Sequence, residues 1–428
     1  TGSPAQKAGI YLSGGTLNAG AGNITLRGQG IAGTSNAYGI HVLGGSVIGH
    51  AAATGNLALH GTGGVGTTGN HGVLLTDTNT AVRSQLGAIL IAGNENGIDG
   101  GNHGVSIVGG ARVESTGTAA GTATITLKGT GGKEASNHGV NIDGSTTVIR
   151  SGYGDIKIEG FGGASATANN GKRGVYISNA ASIVSDGTGT DAAKITIEGT
   201  GGAGGGQEQG VYLNTARINS VDGDIWLKGN GRTTASSHGL MIYNGSQVTA
   251  AGSADIRLTG DGSGSVGSIS FFNGGSGTSA FTSHTGDIII ESDTWHGNTT
   301  GSLSSTGGVQ AGDLIIKPLT ASANIGIGGG SGTLSISAAH LDMIQDGFSE
   351  IYIGHEDGTG IVSVGTYTNF KDNLTIRTPI GNGSINVNGA LATGSGAHAG
   401  SITLEAGLNI LANSGSSIRT DGGKITLN

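Results

Sequence analysis

Three histidines, His71, His103 and His138, each stand immediately before a glycine, and that glycine opens a motif that returns about every 29 to 36 residues. Imidazoles repeated in this way on successive coils would lie about 4.8 Å apart, near enough for neighbouring rings to share a metal ion. The same position holds Tyr38, Arg173, Gln209 and His238 in other repeats, and Asn70, Asn102 and Asn137 precede the three histidines. With so little charge nearby, the simpler expectation is a polar stack at a turn, and no metal is assigned. A second row lies outward on the strand that follows the glycine: Tyr11, His41, Leu74, Ser106, Asn141, Tyr176, Tyr212 and Met241. Tyr176 and Tyr212 are candidate contacts for sugar rings. Set against this is plain stacking between coils, worth about 0.5–1 kcal/mol per pair.

Hydrolase or lyase chemistry would need carboxylates gathered as acid and base groups on one face. The best series is Asp155, Asp224, Asp255, Asp287 and Asp313, yet each residue stands at the same turn before a strand. A group repeated at every turn serves the repeat, whereas an active site would interrupt it, and the sequence shows no interruption. No catalytic residue and no cofactor are expected. Gly260-Asp261-Gly262-Ser263-Gly264 and Glu356-Asp357-Gly358 are isolated and do not form the nonapeptide series of calcium β-rolls.

The elements that must position these rows are short. One unit reads Gly9-Ile10-Tyr11-Leu12, then Thr16-Leu17-Asn18-Ala19, then Gly22-Asn23-Ile24-Thr25-Leu26-Arg27-Gly28. The opening motif returns at Gly39-Ile40, Gly72-Val73, Gly104-Val105, Gly139-Val140, Gly174-Val175, Gly210-Val211 and Gly239-Leu240. Apolar residues alternate with variable ones, so Ile10, Leu12, Leu17, Ile24 and Leu26 point inward while Tyr11, Thr25 and Arg27 point outward. Three strands per unit, each too short to fold alone, imply an all-β, right-handed parallel β-helix (a β-solenoid) with three short strands per coil. Glycines at the corners are expected to supply positive φ and close packing. At the end of the third strand, Arg27, His60, Ala92, Lys128, Glu159, Glu198 and Lys228 succeed one another, with Lys128–Glu159 and Glu198–Lys228 expected to pair across coils. The polar stretches Gln29 to Tyr38 and Gly160 to Arg173 are expected as loops along one edge.

Composition narrows the class. Glycine contributes 90 of 428 residues, but 35% hydrophobic residues in alternating runs argue for buried β-structure and against disorder. There is no cysteine, so neither disulfides nor thiolate metal sites contribute. Charged residues are 11% with a net charge of −8, which argues against nucleic acid as a partner. No apolar run approaches the ~20 residues of a membrane span. Residues 1–266 read as long coils with polar loops on one edge. Residues 267–428 read as the same helix with shorter coils, and a hinge between the two parts is placed near 262 to 300. Neither end shows a capping segment, which suggests end-to-end self-association or continuation in a longer chain.

The second part carries a resemblance. The stretch His340-Leu341-Asp342-Met343-Ile344-Gln345-Asp346-Gly347-Phe348-Ser349-Glu350-Ile351-Tyr352-Ile353-Gly354 is followed by Asp357-Gly358-Thr359-Gly360 and Phe370-Lys371-Asp372-Asn373-Leu374-Thr375-Ile376. With Gly381 to Gly389 and Ser401-Ile402-Thr403-Leu404, these resemble repeats of filamentous haemagglutinin-type giant surface exoproteins, including very long ones from filamentous cyanobacteria. The resemblance is clearest over 334–428. It implies a β-helical rod on the outside of a bacterial cell and carries over no catalytic residue. The amino-terminal secretion domain of two-partner systems is not recognisable in this chain. The expected function is therefore an extracellular surface filament, sheath or fibrous layer. An adhesin stalk binding glycans or neighbouring proteins is the alternative, and a polysaccharide lyase or hydrolase a remoter one.

Overall fold

In the computed structural model the described residues are 7–33, 35–96, 100–134, 136–163, 171–204, 207–232, 237–262, 269–272, 277–296, 301–394 and 400–428. A four-residue strand with one apolar face cannot keep that face dry alone, so the strands stack. The result is a parallel β-helix with three strands per coil. Among the described residues the first sheet has ten strands, from Ile10–Ser13 to Trp295–His296, and the second has ten, from Thr16–Leu17 to Gly301–Ser305. The third has fourteen, from Ile24–Gln29 to Ile425–Leu427, and at about 4.8 Å per strand it runs some 60 Å along the axis.

Register puts like on like. Ile89, Ile125, Ile156, Ile195, Ile225, Ile256, Ile288 and Leu314 form one buried column of the third sheet. Each such side chain contributes roughly 1.5–3 kcal/mol relative to exposure. Ile10, Leu12, Leu17, Ile24 and Leu26 pack against the same core, as the alternation requires.

Between the third strand of one coil and the first strand of the next, the chain leaves the rod as a loop and returns through a narrow neck. Gly61 meets Gly72 there, Gly93 meets Gly104, Gly129 meets Gly139, Gly160 meets Gly174 and Gly199 meets Gly210. A Cβ on the first of each pair would overlap the carbonyl oxygen of the second. None of these glycines has positive φ, so the expectation of left-handed backbone fails here and close approach alone excludes a side chain. Positive φ occurs instead at the corner between the first and second strands, at Gly44, Gly109 and Gly144, and at Asn179 and Ala180.

The third sheet passes without interruption from residues 256 to 376, through Ile256, Ile288, Leu314, Ile351 and Leu374. Beyond Gly301–Ser305, a five-stranded and a three-stranded sheet take over from the first and second. The changeover corrects one expectation, because the repeat is interrupted there. Leu334–Ile336 follows Ile325–Ile327 in sequence but pairs on its opposite side from Ile361–Val364. A four-residue helix, Ala338–Leu341, comes next, N-capped by Ser337, and Ile344 then bridges to Leu303 of the second sheet. So short a helix leaves no 3.6-residue periodicity to detect. The chain then rejoins the third sheet at Glu350–Ile353; on the way Leu341, Met343, Ile344 and Phe348 are buried, and the His340 ring stacks on Trp295 at 4.9 Å.

Candidate functional site

The two rows flank the start of the first strand of each coil, one just before the opening glycine and one on the strand itself, and they merge into one ladder. Tyr38 stacks on His71 at 5.7 Å, His71 on His103 at 5.0 Å, and His103 on His138 at 4.9 Å. His138 then meets Tyr176 edge-on at 4.9 Å, and Tyr176 stacks on Tyr212 at 5.3 Å, with Tyr243 beyond it at 6.0 Å. The rows stand three positions apart in the sequence, with two residues between them, and only the fold shows His138 of one coil against Tyr176 of the next.

Backbone geometry fixes the histidine tautomers. The N–H of His103 donates to His71 Nδ1 at 3.0 Å, and that of His138 donates to His103 Nδ1 at 3.1 Å. The Nδ1 lone pairs are thus engaged by the next coil, and the proton of each neutral ring lies on Nε2. Rings stacked within 12° of parallel aim their lone pairs side by side, which does not converge on a metal about 2 Å from each nitrogen. Among the described residues no group of three His, Asp or Glu is arranged to hold a metal ion.

Burial, then the neighbouring His103 and His41, holds His71 well below the ordinary value. Burial followed by Arg173 brings His103 to about 4, and burial with His103 and Arg173 lowers His138. Burial also brings His41 to about 4. Rings kept neutral in the fold take up protons only on unfolding. Stability is therefore complete above pH 6.5 and falls as pH drops from 6.5 toward 4, by up to about 1.4 kcal/mol per pH unit for each ring. Asp372, raised to about 6 by burial, acts in the opposite sense, as do Asp255 and Asp313, which burial also raises, so the net fall is the excess of the four rings over these three carboxyls. Urea midpoints at pH 7.5 and 4.5 should differ clearly, and His103→Gln should shrink the difference; equal midpoints would refute the assignment.

Tyr176 and Tyr212 do stack, yet Tyr212 is only 7% exposed and the Arg173 guanidinium lies over both rings, at 4.7 and 4.4 Å. Ring faces are taken by neighbours, and sugars would meet ring edges. Beside them Arg173, Gln207, Gln209, Tyr212, His238, Met241 and Tyr243 line an open cleft of about 320 Å³.

The acidic row has a structural use. The N–H of Asp287 donates to Asp255 Oδ1 at 2.8 Å and that of Asp313 donates to Asp287 Oδ1 at 2.7 Å. Lys194 N–H donates to Asp155 in the same way, and Asp255 N–H to Asp224. Of the expected ion pairs, Lys128–Glu159 forms at 3.5 Å. Glu198–Lys228 does not. Glu198 pairs with Lys157 at 3.8 Å, and Lys228 reaches the Trp226 ring instead. A larger network spans the changeover, in which Arg257 holds Glu291 through two 2.8 Å bonds while Lys317 bridges Glu291 and Glu356.

The asparagines beside the histidines carry more than a polar turn, and their continuation by Lys172 and Glu208 is not anticipated from the sequence. Inside the ladder runs a buried row of Asn70, Asn102 and Asn137, in which each Oδ1 accepts the N–H of the residue one coil below. Lys172 and Glu208 continue that row, fully buried, with Nζ 4.0 Å from Oε1. Their place two residues before the opening glycine, where asparagine stands elsewhere, is the available signal.

Comparison with protein-family models, with curated proteins and with solved structures found no match.

Proposed function

We propose that this chain is an extracellular structural protein, a rod of a filament, sheath or fibrous layer on a bacterial surface. The observation that carries the reading is where the polar groups are spent. The Asp255 and Asp287 carboxylates, the Asn70, Asn102 and Asn137 amides, and the His71 and His103 imidazoles each accept a backbone N–H of an adjacent coil. Chemistry directed along the axis stiffens a rod, whereas catalysis directs such groups toward a ligand. The resemblance over 334–428 points the same way. No helix among the described residues is long and apolar enough to cross a membrane. A second reading, an adhesin stalk, is favoured by the cleft beside Arg173.

Electron microscopy of the producing cells and of material shed from them tests the first reading. Continuous filaments labelled by an antibody to this chain, with a ~4.8 Å axial repeat, are the expected result. Discrete short rods without filaments would overturn it and leave the adhesin reading.

A further inference from the structure

The grooves of this rod differ in one respect that bears on ligands. In the groove of about 470 Å³ beside Tyr153, Arg150 is paired with Asp186. In the groove beside Trp226, Lys194 is paired with Asp224 at 3.0 Å, and Arg257 with Glu291 at 2.8 Å. Those cations are already neutralised. Arg173 has no carboxylate partner among the described residues, and the sequence stretches 164–170 and 233–236 contain no Asp or Glu. Its Nε donates to Gln209 Oε1 at 3.1 Å. Its Nη1 lies 3.5 Å from His138 Nε2, a nitrogen that itself carries the ring proton because Nδ1 accepts the Arg173 N–H. The guanidinium is flattened over the Tyr176 and Tyr212 rings, so its plane is set, and among the described residues its N–H edge meets no side-chain acceptor beyond Gln209.

We propose that the cleft beside Arg173 binds the carboxylate of a uronic acid residue in an acidic polysaccharide. A planar fork held rigid on aromatic faces matches a carboxylate through two parallel bonds without the ordering cost of a free side chain. Tyr212 keeps its hydroxyl proton, its pKa pushed up to about 12 by burial, and so remains a donor toward an anion. Gln209 offers its amide to sugar hydroxyls, while Met241 and the edges of Tyr212 and Tyr243 offer apolar contact, and Gln207 stands at the exposed rim. The volume of about 320 Å³ falls at the small end of the ~300–1,000 Å³ range of ligand pockets, suited to a single ring of a chain lying across the rod. The inference deepens the adhesin reading and is independent of filament formation, since one soluble rod presents the whole cleft.

Isothermal titration of the purified chain at low salt tests it with three probes: tetragalacturonate, its methyl ester, and sodium sulfate. The acid form should bind at least tenfold more tightly than the ester, and Arg173→Gln should reduce it to the level of the ester. Gln207→Glu, at an exposed rim position that leaves the ladder intact, should weaken the acid form about tenfold and the ester little. Equal binding of acid and ester, or binding unchanged in both variants, would overturn the proposal. Sulfate binding as tight as the oligosaccharide would reduce the cleft to an anion site with no preference for sugars, which also overturns it. Filaments seen without uronate binding would sink this inference and leave the structural reading standing.

Discussion

Replacing Glu208 by alanine should destabilise the chain by roughly 3–5 kcal/mol, because it strands the Lys172 ammonium in a fully buried row. Lys172 Nζ has no hydrogen-bond partner among the described residues, so the carboxylate at 4.0 Å is its main compensation. The double variant Lys172→Met with Glu208→Leu should cost far less than the single one and fits the range, neutral to about 1–4 kcal/mol stabilising, seen when buried pairs become apolar. Urea unfolding followed by circular dichroism reads both midpoints. If the single and double variants lose the same stability, charge stranding is not the cause and the loss lies in packing. A stack of coils can also unfold in parts, so a separate early transition in Glu208→Ala would place the damage in the coils beside Glu208.

The second large effect is expected at a loop neck. Gly129→Ala sets a methyl against the carbonyl oxygen and carbon of Gly139, and both are backbone atoms that cannot swing aside. The strain should reach or exceed the ~1–3 kcal/mol usual for overpacking. Gly121→Ala provides the contrast: its φ is +80° and nothing lies within 4 Å of the added carbon, so only the left-handed backbone is penalised, by roughly 1–2 kcal/mol. Thermal unfolding of the two should rank Gly129→Ala well below Gly121→Ala. The reverse order would mean that the neck relaxes and that its glycines are not required by contact.

Most of the fold was legible because a β-helix writes itself into sequence as alternation plus a repeat. Ile125-Thr126-Leu127-Lys128-Gly129 is enough to give a strand, its inward face and its closing corner. The changeover was not legible, since Ala338–Leu341 is too short to show a period and the backward step from Ile325–Ile327 to Leu334–Ile336 is a matter of topology alone. The glycines were placed correctly for a partly mistaken reason, because contact and positive φ leave the same letter in the sequence. At the candidate site, the stacking of His71, His103 and His138 followed from spacing. The protonation pattern did not, since it depends on which backbone N–H each Nδ1 meets. Nor did the covering of Tyr212 by Arg173, which depends on a side chain folding back across a coil boundary.

The neck separates two kinds of inheritance within one coil. Whatever happens between Gly129 and Gly139, or between Gly160 and Gly174, the chain must re-enter the rod at the same point and in the same register. An insertion or deletion there leaves the hydrogen-bond ladder of the next coil in place, so it changes what the surface presents without changing what holds it up. Within a strand, a single inserted residue would turn every following side chain of that strand inside out. The molecule thus works as a spool with interchangeable tags, in which a change of length in a tag leaves the spool's register alone and a change of length in the spool does not.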